Sequence, residues 1–282
     1  MDIGVKKDKN SITGKILFFD IDGTLYDFNG HMPASTLRAL RLARCAGHHL
    51  VICSGRAKYQ VYPELFELFD GYVGATGSYI VQEGNVIYEH FMPENVLKEA
   101  VDVIGQSDGL LAAMTEEGLI LNQECNDYLV DKFTKQGVKQ KDIERLMGDV
   151  IITPDLTGYG NIQKMLYHRS KWNVSQISDR LDHCCDITAS SFEASGDNSG
   201  EITMKDINKS FGMKYYIDRI GGKAEDTIAF GDGPNDFDMI EFAGIGVAMG
   251  NAGDGLKKLA DYVTTDVLND GIASAMEHFG II

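Results

Sequence analysis

Cysteine is scarce in this 282-residue sequence and is poorly spaced for a structural role. There are five cysteines, an odd number, and no two of them form a Cys-x-x-Cys pair. A disulfide framework needs paired cysteines and a structural zinc site needs clustered ones, so the sequence indicates neither. Free thiols of this kind are usually buried and reduced. Because the N-terminus also lacks an apolar leader, we expect a cytoplasmic protein.

Basic residues are also in the minority. The chain has 26 Lys and Arg against 42 Asp and Glu, which gives a formal net charge of −16. Nucleic acids and anionic membranes are bound by clusters of Lys and Arg, so we expect neither kind of partner. No apolar run approaches the roughly 20 residues that span a bilayer. A small anion needs only a local site and is compatible with this charge balance.

What the sequence does contain, near its start, is an alternation of short apolar runs with helical spacing. Residues 16–19 and 50–53 are continuous apolar runs, typical of strands buried on both faces, and 71–75 indicates a third strand. The spacing predicts a helix after the first strand and another over about 58–69. This order favours a parallel sheet with right-handed crossovers.

The pattern changes near Tyr79. Residues 80–87 indicate an antiparallel hairpin around a Glu-Gly-Asn turn, and mixed helical and strand-like segments continue to about residue 205. Beyond that point buried strands and helices alternate again. We therefore predict an α/β fold in which a Rossmann-like core with a parallel sheet is split by an inserted α+β domain. The predicted core comprises residues 1–82 and 206–282, and the predicted insertion comprises residues 83–205.

Polar clusters follow three of the predicted core strands, which is where ligands bind in parallel α/β sheets. Lys209 lies near the start of a later helix, and we expect it to join the three clusters in one crevice. Taken singly, each cluster also fits a solvated turn, and Lys209 fits an exposed helix surface. The clusters are Asp20-Ile21-Asp22-Gly23-Thr24, Ser54-Gly55-Arg56 and Gly231-Asp232-Gly233-Pro234-Asn235-Asp236.

Four carboxylates gathered at one sheet edge, those of Asp20, Asp22, Asp232 and Asp236, would repel one another. Such repulsion raises a pKa or requires a cation. Mg²⁺ prefers oxygen ligands and commonly links one or two carboxylates to a substrate phosphate. The segment 231–236 lacks the alternating ligands and terminal Glu of a calcium loop. The sequence therefore predicts a magnesium site that binds a phosphorylated substrate.

The residue types also suit phosphoryl transfer. Lys209 would contribute a positive charge, and Ser54 with the N–H of Gly55 would donate hydrogen bonds to phosphate oxygens. Asp20 can act as the nucleophile, since carboxylates are known covalent carriers of phosphate. Asp22 can protonate the leaving oxygen and later deprotonate the attacking water. The two aspartates thus have separate predicted roles.

The chain resembles Cof-type phosphatases of the haloacid dehalogenase (HAD) superfamily. In these proteins a cap domain of type IIB is inserted between the second sequence motif, here within residues 51–56, and the third, here ending at Lys209. Thr76 departs from that pattern, since such proteins often carry Asn there. The likeness covers nearly the whole chain past residue 14. The matching stretches are 16–27, 51–56, Glu201-Ile202 followed by Lys209, and 227–250.

The resemblance implies a role for each candidate residue. Asp20 would be both nucleophile and metal ligand, and Asp22 would be the acid/base and a ligand through its backbone carbonyl. Asp232 would be the third protein ligand of Mg²⁺, and Asp236 would support the metal site. The residues implied to hold the phosphate are Ser54, Lys209 and Asn235.

We therefore expect a magnesium-dependent phosphatase that hydrolyses a small phosphorylated metabolite, a sugar phosphate or a phosphorylated cofactor, through an aspartyl-phosphate on Asp20. A phosphomutase of the same architecture and a non-catalytic protein that binds a phosphorylated metabolite are the alternatives. The Asp20–Asp22 pair argues against a binding protein, which needs no nucleophile. His168 and Arg169 follow a predicted strand of the insertion and are candidates to face the substrate. The sequence does not indicate the oligomeric state.

Overall fold

The computed structural model describes residues 14–189 and 198–282, and its strands form one sheet of eight and one of six. Strands β1 to β5, which begin the larger sheet, are Ile16–Phe19, His49–Cys53, Gly71–Gly74, Tyr79–Gln82 and Asn85–Glu89. Strands β6 to β11, which form the smaller sheet, are Leu110–Met114, Leu119–Leu121, Ile151–Ile152, Lys164–His168, Cys185–Ala189 and Gly200–Met204. Strands β12 to β14, which return to the larger sheet, are Thr227–Gly231, Ile245–Ala248 and Tyr262–Val263.

Helices cover both sheets. Within the described ranges, no helix combines the length and the apolar character needed to cross a bilayer. Helices α1 to α5 are Ala34–Cys45, Leu65–Leu68, Glu94–Gln106, Gln123–Lys135 and Gln140–Met147. Helices α6 to α10 are Val174–Leu181, Lys209–Ile220, Phe237–Phe242, Asp254–Leu259 and Gly271–His278. We call residues 94–189 and 198–204 the cap, and the rest of the described chain the core.

The order of the core strands confirms the predicted α/β class. The larger sheet runs β14-β13-β12-β1-β2-β3-β4-β5, and it is parallel from β14 to β3. The central strand β1 pairs Phe19 with Ile52 on one side and with Phe230 on the other. The residues that follow these three strands therefore meet at one edge of the sheet.

The central strand is buried on both faces, as its continuous apolar run predicts. Leu17 and Phe19 pack in one core cluster, with residues of α1 and α10, while Ile16 and Phe18 pack in another with residues of α7 and α8. Phe19 stacks on Phe230 of the neighbouring strand, with 4.7 Å between the ring centroids. These contacts fix the carboxyl end of β1, where the candidate site begins.

The helix predicted over 58–69 is wrong. The segment contains a 3₁₀ turn at Lys58–Gln60 and only the short helix Leu65–Leu68. Pro63 lies between them. Proline has no N–H to donate and disfavours helical geometry in the residue before it, so one continuous helix cannot form here.

The predicted hairpin is confirmed, and it extends the larger sheet. Strand β4 pairs antiparallel with both β3 and β5. A two-residue turn, Glu83 and Gly84, connects β4 to β5. The strand Asn85–Glu89 therefore pairs within the core sheet, although it follows the predicted domain boundary between residues 82 and 83. Residues 1–13 and 190–197 of the predicted domains lie outside the described residues.

Candidate active site

A cavity between core and cap brings the predicted polar clusters together. The carboxyl ends of β1, β2 and β12 contribute its core side, and β6, β7, β9, β11, α4 and the end of α5 contribute its cap side. Of the residues in the predicted clusters and the cap candidates, those that line it are Asp20, Asp22, Ser54, Gly55, Arg56, Asp232, Gly233, Asn235 and His168. Arg169, the other candidate from the cap, pairs instead with Glu124 at 3.1 Å.

Lys209 is fully buried directly beside Asp20. It is the first residue of α7, whose start is capped by the side chain of Asn208 accepting from the N–H of Phe211 at 2.8 Å. The Lys209 Nζ atom lies 2.7 Å from Asp20 Oδ1 and 2.5 Å from Asp236 Oδ1. The predicted cation thus stands between two carboxylates, one of them the predicted nucleophile.

Three carboxylates converge at this point. Asp20, Asp232 and Asp236 each offer an oxygen, and these atoms lie within 4.8 Å of one another. The Asp232 carboxylate accepts hydrogen bonds from Thr24 Oγ1 at 3.3 Å and from Asn251 Nδ2 at 3.1 Å. The donor set of the cluster consists of oxygens alone, which suits a hard cation such as Mg²⁺.

Burial perturbs the charges of this cluster strongly. It raises the pKa of Asp20 to about 7, an effect that Lys209 partly offsets and Asp236 reinforces. Burial, with help from Asp20 and Asp236, also raises the pKa of Asp232 to about 8. For Lys209 burial lowers the pKa, but the two facing carboxylates outweigh it and hold the pKa well above its usual range. One lysine therefore does not neutralise the cluster, which favours proton or cation binding.

Asp236 organises the loop that carries Asp232. Its Oδ2 atom accepts hydrogen bonds from the backbone N–H groups of Asp232 and Gly233, each at 2.9 Å. Its other oxygen contacts Lys209, and the residue is fully buried. Both carboxylate oxygens are thus engaged in holding neighbouring groups in place.

The Asp22 carboxylate is held apart from the three-carboxylate cluster by Arg56. The guanidinium donates from Nε to Oδ2 at 2.8 Å and from Nη2 to Oδ1 at 2.7 Å, a bidentate arrangement. Arg56 is fixed in turn by donating from Nη1 to the carbonyl of Gln60 at 2.5 Å and by lying over the Tyr62 ring. The sequence placed Arg56 in the crevice but did not predict this pairing.

Two glycines let the loops approach closely. Gly23 has φ +78°, and a Cβ there would lie 2.1 Å from Asp232 Oδ2. A Cβ on Gly55 would lie 3.2 Å from Asn235 Nδ2 and 3.3 Å from Lys164 Nζ. Any side chain at Gly23 would therefore displace a predicted metal ligand.

The cap contributes three charged residues that sequence reasoning missed, Lys132 of α4 and an ion pair deeper in the cavity. Lys164 of β9 and Glu201 of β11 line the cavity and form an ion pair of 2.7 Å between Nζ and Oε2. Glu201 belongs to a stretch that matches the family pattern, but no role was predicted for it. Lys164 lies within the strand-like run at 162–167, and lysine is rarely buried unless it is paired. Its position in that run could therefore have indicated a buried ion pair.

The rest of the cap side of the cavity is largely apolar. Its apolar residues come from β6, β7, β9 and the helices α4 and α5, neither of which the sequence predicted. They are Met114, Leu119, Leu129, Phe133, Leu146 and Leu166. A leaving group would therefore meet an apolar surface beyond the charged residues.

Known proteins share both this sequence pattern and this fold. A family profile of haloacid dehalogenase-like hydrolases matches residues 17–276. YkrA of Bacillus subtilis is 31% identical over 277 residues, which cover 95% of this chain and 98% of YkrA. The phosphoglycolate phosphatase of Methanobrevibacter smithii is 28% identical over 262 residues, 92% of this chain and 96% of that protein. The solved structure of BT4131, a HAD subclass IIB sugar phosphatase, has a TM-score of 0.81 and 29% identity, covering 95% of this chain and 100% of that one.

The chain belongs to the haloacid dehalogenase-like hydrolases. Within that family it is a phosphatase of the Cof type, as its motifs predicted, and its neighbours include a sugar phosphatase of subclass IIB. The particular substrate is a separate question, because the two relatives with named activities differ in the group that carries the phosphate.

Proposed function

We propose that this phosphatase hydrolyses a small phosphorylated metabolite, a sugar phosphate or a phosphorylated cofactor, through an aspartyl-phosphate on Asp20. The observation that carries the proposal is the position of Asp20, which is buried at the cavity floor with its Oδ1 atom 2.7 Å from Lys209. A phosphate bound in the cavity would lie next to this carboxylate and to the positive charge of Lys209. The activities of the relatives support a small phosphorylated substrate.

The residues present fit a magnesium ion. Asp20 and Asp232 would hold it through carboxylate oxygens. Asp22 would bind it through its backbone carbonyl, as the family resemblance implies, while its carboxylate pairs with Arg56. Asp236 would support these ligands. When bound, Mg²⁺ would offset the carboxylate repulsion and the charge of the phosphate.

The chain's own residues carry the chemical steps. An Asp20 oxygen forms a bond to phosphorus while the bond from phosphorus to the leaving oxygen breaks, and Asp22, which enters this step protonated, donates its proton to that oxygen. Asp22 then takes a proton from the attacking water, and inorganic phosphate leaves Asp20. Arg56 keeps the Asp22 carboxylate oriented between the two steps. The residues proposed to hold the phosphate are Ser54, Gly55, Lys209 and Asn235.

The test is phosphate release from p-nitrophenyl phosphate with Mg²⁺, for the native chain and for Asp20→Asn. We expect the substitution to lower kcat by about 10³-fold or more, because it removes the nucleophile. Asp254→Asn is the matched control, since Asp254 is exposed at the start of α9. Borohydride added during turnover should convert the aspartyl-phosphate at residue 20 to homoserine, detectable by peptide mass spectrometry.

Three results would contradict the proposal. Undiminished turnover in Asp20→Asn would exclude the covalent mechanism, and equal rates in EDTA would exclude the metal. Transfer of the phosphoryl group to a sugar acceptor, with no accumulation of inorganic phosphate, would identify a phosphomutase instead.

A further inference from the structure

The ion pair between Lys164 and Glu201 is built into the cap side of the cavity. The two residues lie on neighbouring antiparallel strands of the smaller sheet. The Lys164 side chain is 1% exposed and that of Glu201 is 15% exposed. Charges this deeply buried are retained only when each is compensated.

The pair also contacts the core at Thr76, in the turn that follows β3. Lys164 Nζ and Glu201 Oε2 each lie 3.3 Å from Thr76 Oγ1. Thr76 has φ +57°, a left-handed conformation that is uncommon for a β-branched residue and often marks a functional position. Lys164 Nζ also lies close to Gly55, as described above. A group esterified to a phosphate at Ser54 and Gly55 would therefore extend past this pair.

The charges around the cavity determine what kind of group can extend there. On the cap side, Glu201 cancels the charge of Lys164. Among the described lining residues of the cap, the other lysine is Lys132, which is only partly buried on α4. The inner cap wall therefore offers no net positive charge near Thr76, and Glu201 would repel a second anion.

We propose that Glu201 is a specificity-determining residue that makes the site select phosphate esters with an uncharged, hydroxyl-bearing leaving group. By compensating Lys164, it leaves a donor and an acceptor for hydroxyl groups and removes the attraction for a carboxylate or a second phosphate. This inference rests on the proposed phosphatase function. It names the substrate class of the same site.

The test compares two substrates of similar size, glycerol 3-phosphate and 3-phosphoglycerate, which differ in a hydroxymethyl group and a carboxylate. We expect the native protein to have a kcat/KM at least about tenfold higher for glycerol 3-phosphate. Glu201→Gln should lower that ratio about tenfold or more, because Lys164 would then attract the carboxylate. Lys164→Met should raise it, because Glu201 would be left without its partner.

Glu116 provides the matched control. Its carboxylate also links cap to core, by accepting from Tyr79 OH at 3.0 Å and from Lys58 Nζ at 3.2 Å, but it does not line the cavity. Glu116→Gln should leave the substrate ratio unchanged within about twofold, the expectation for a contact outside the site. A shift equal to that of Glu201→Gln would assign the effect to cap docking and overturn the inference.

Other outcomes separate the inference from the proposed function. Asp20-dependent turnover with equal or higher kcat/KM for 3-phosphoglycerate would overturn the inference and leave the phosphatase mechanism intact. A Glu201→Gln variant that slows both substrates equally would show a purely structural role. Should that variant fail to fold, Lys164→Met decides the matter, since an unchanged or lower ratio there also contradicts the inference. No Asp20-dependent turnover of any phosphate ester would instead refute the proposed function.

Discussion

Gly23 and Gly84 have nearly the same backbone conformation but very different surroundings. Their φ angles are +78° and +79°, yet a Cβ on Gly23 would lie 2.1 Å from Asp232 Oδ2, whereas one on Gly84 would have nothing within 4 Å. Replacing either glycine with alanine costs about the same conformational free energy. The two sites therefore separate backbone strain from displacement of a site residue.

We expect Gly23→Ala to lower kcat by about 100-fold, because a shift of about 1 Å in a positioned group has that effect. Gly84→Ala should cost only about 1 kcal/mol of the free energy of unfolding and leave kcat unchanged. Steady-state kinetics and urea unfolding measure the two quantities. If both variants lost the same activity, the close approach of Gly23 to Asp232 would have no catalytic importance.

The sequence was sufficient to predict which residues gather at the sheet edge, because strand ends position them. Asp20 and Asp232 follow strands that are neighbours in the sheet, so their proximity follows from topology. The pairing of Arg56 with Asp22 depends on side-chain geometry. The pairing of Lys164 with Glu201 depends on the strand order inside the cap. Neither is encoded in local spacing, and neither was predicted.

At the scale of elements, prediction worked for strands and failed for several helices. Core strands such as Ile16–Phe19 are apolar runs too short for a helix and are followed by turn residues, which together favour a strand. Helix α5 has only Ile143 and Met147 buried among eight residues, so its apolar signal is weak. The helix expected over 58–69 was interrupted by Pro63. Periodicity thus misses a helix with few buried residues and predicts too long a helix where a proline interrupts the segment.

The hairpin of β4 and β5 contains an unfavourable residue in its turn. Glu83 and Gly84 have φ values of +48° and +79°, the pattern of a type I′ turn, in which asparagine is preferred at the first position. We expect Glu83→Asn to raise the free energy of unfolding by about 0.5–1 kcal/mol. Urea unfolding measures the change, and Glu83→Gln, which also removes the charge, is the control. Equal stabilisation by both variants would point to charge rather than turn geometry.

At the scale of the whole molecule, the buried acidic cluster should couple stability to pH and Mg²⁺. Without a cation, Asp20 and Asp232 have pKa values raised to about 7 and about 8. A carboxyl whose pKa is raised by folding stabilises the folded state fully below its unfolded pKa. That contribution is lost as the pH rises through the folded value. Stability of the metal-free protein should therefore fall progressively from about pH 4, near the unfolded pKa of an aspartate, to about pH 8.5.

Mg²⁺ should reverse that loss, because it replaces the protons that the cluster gives up. We expect the rise in Tm on adding Mg²⁺ to be about 2–4 °C larger at about pH 8.5 than at about pH 6. Thermal unfolding in Mg²⁺ and in EDTA measures it. Asp232→Asn should remove most of the difference. The same Mg²⁺ effect at both pH values would show that these carboxyls do not bind the ion.

The insertion of the cap between the two halves of the core also sets an order of events on the ribosome. Asp20 precedes Lys209 by 189 residues. At about 5–20 residues per second, Asp20 emerges roughly ten to forty seconds before the lysine that pairs with it. During that interval β1 lacks its partner β12, and the cap can fold first. The nascent chain therefore brings Asp20 and Lys209 together only after the whole cap has been synthesised.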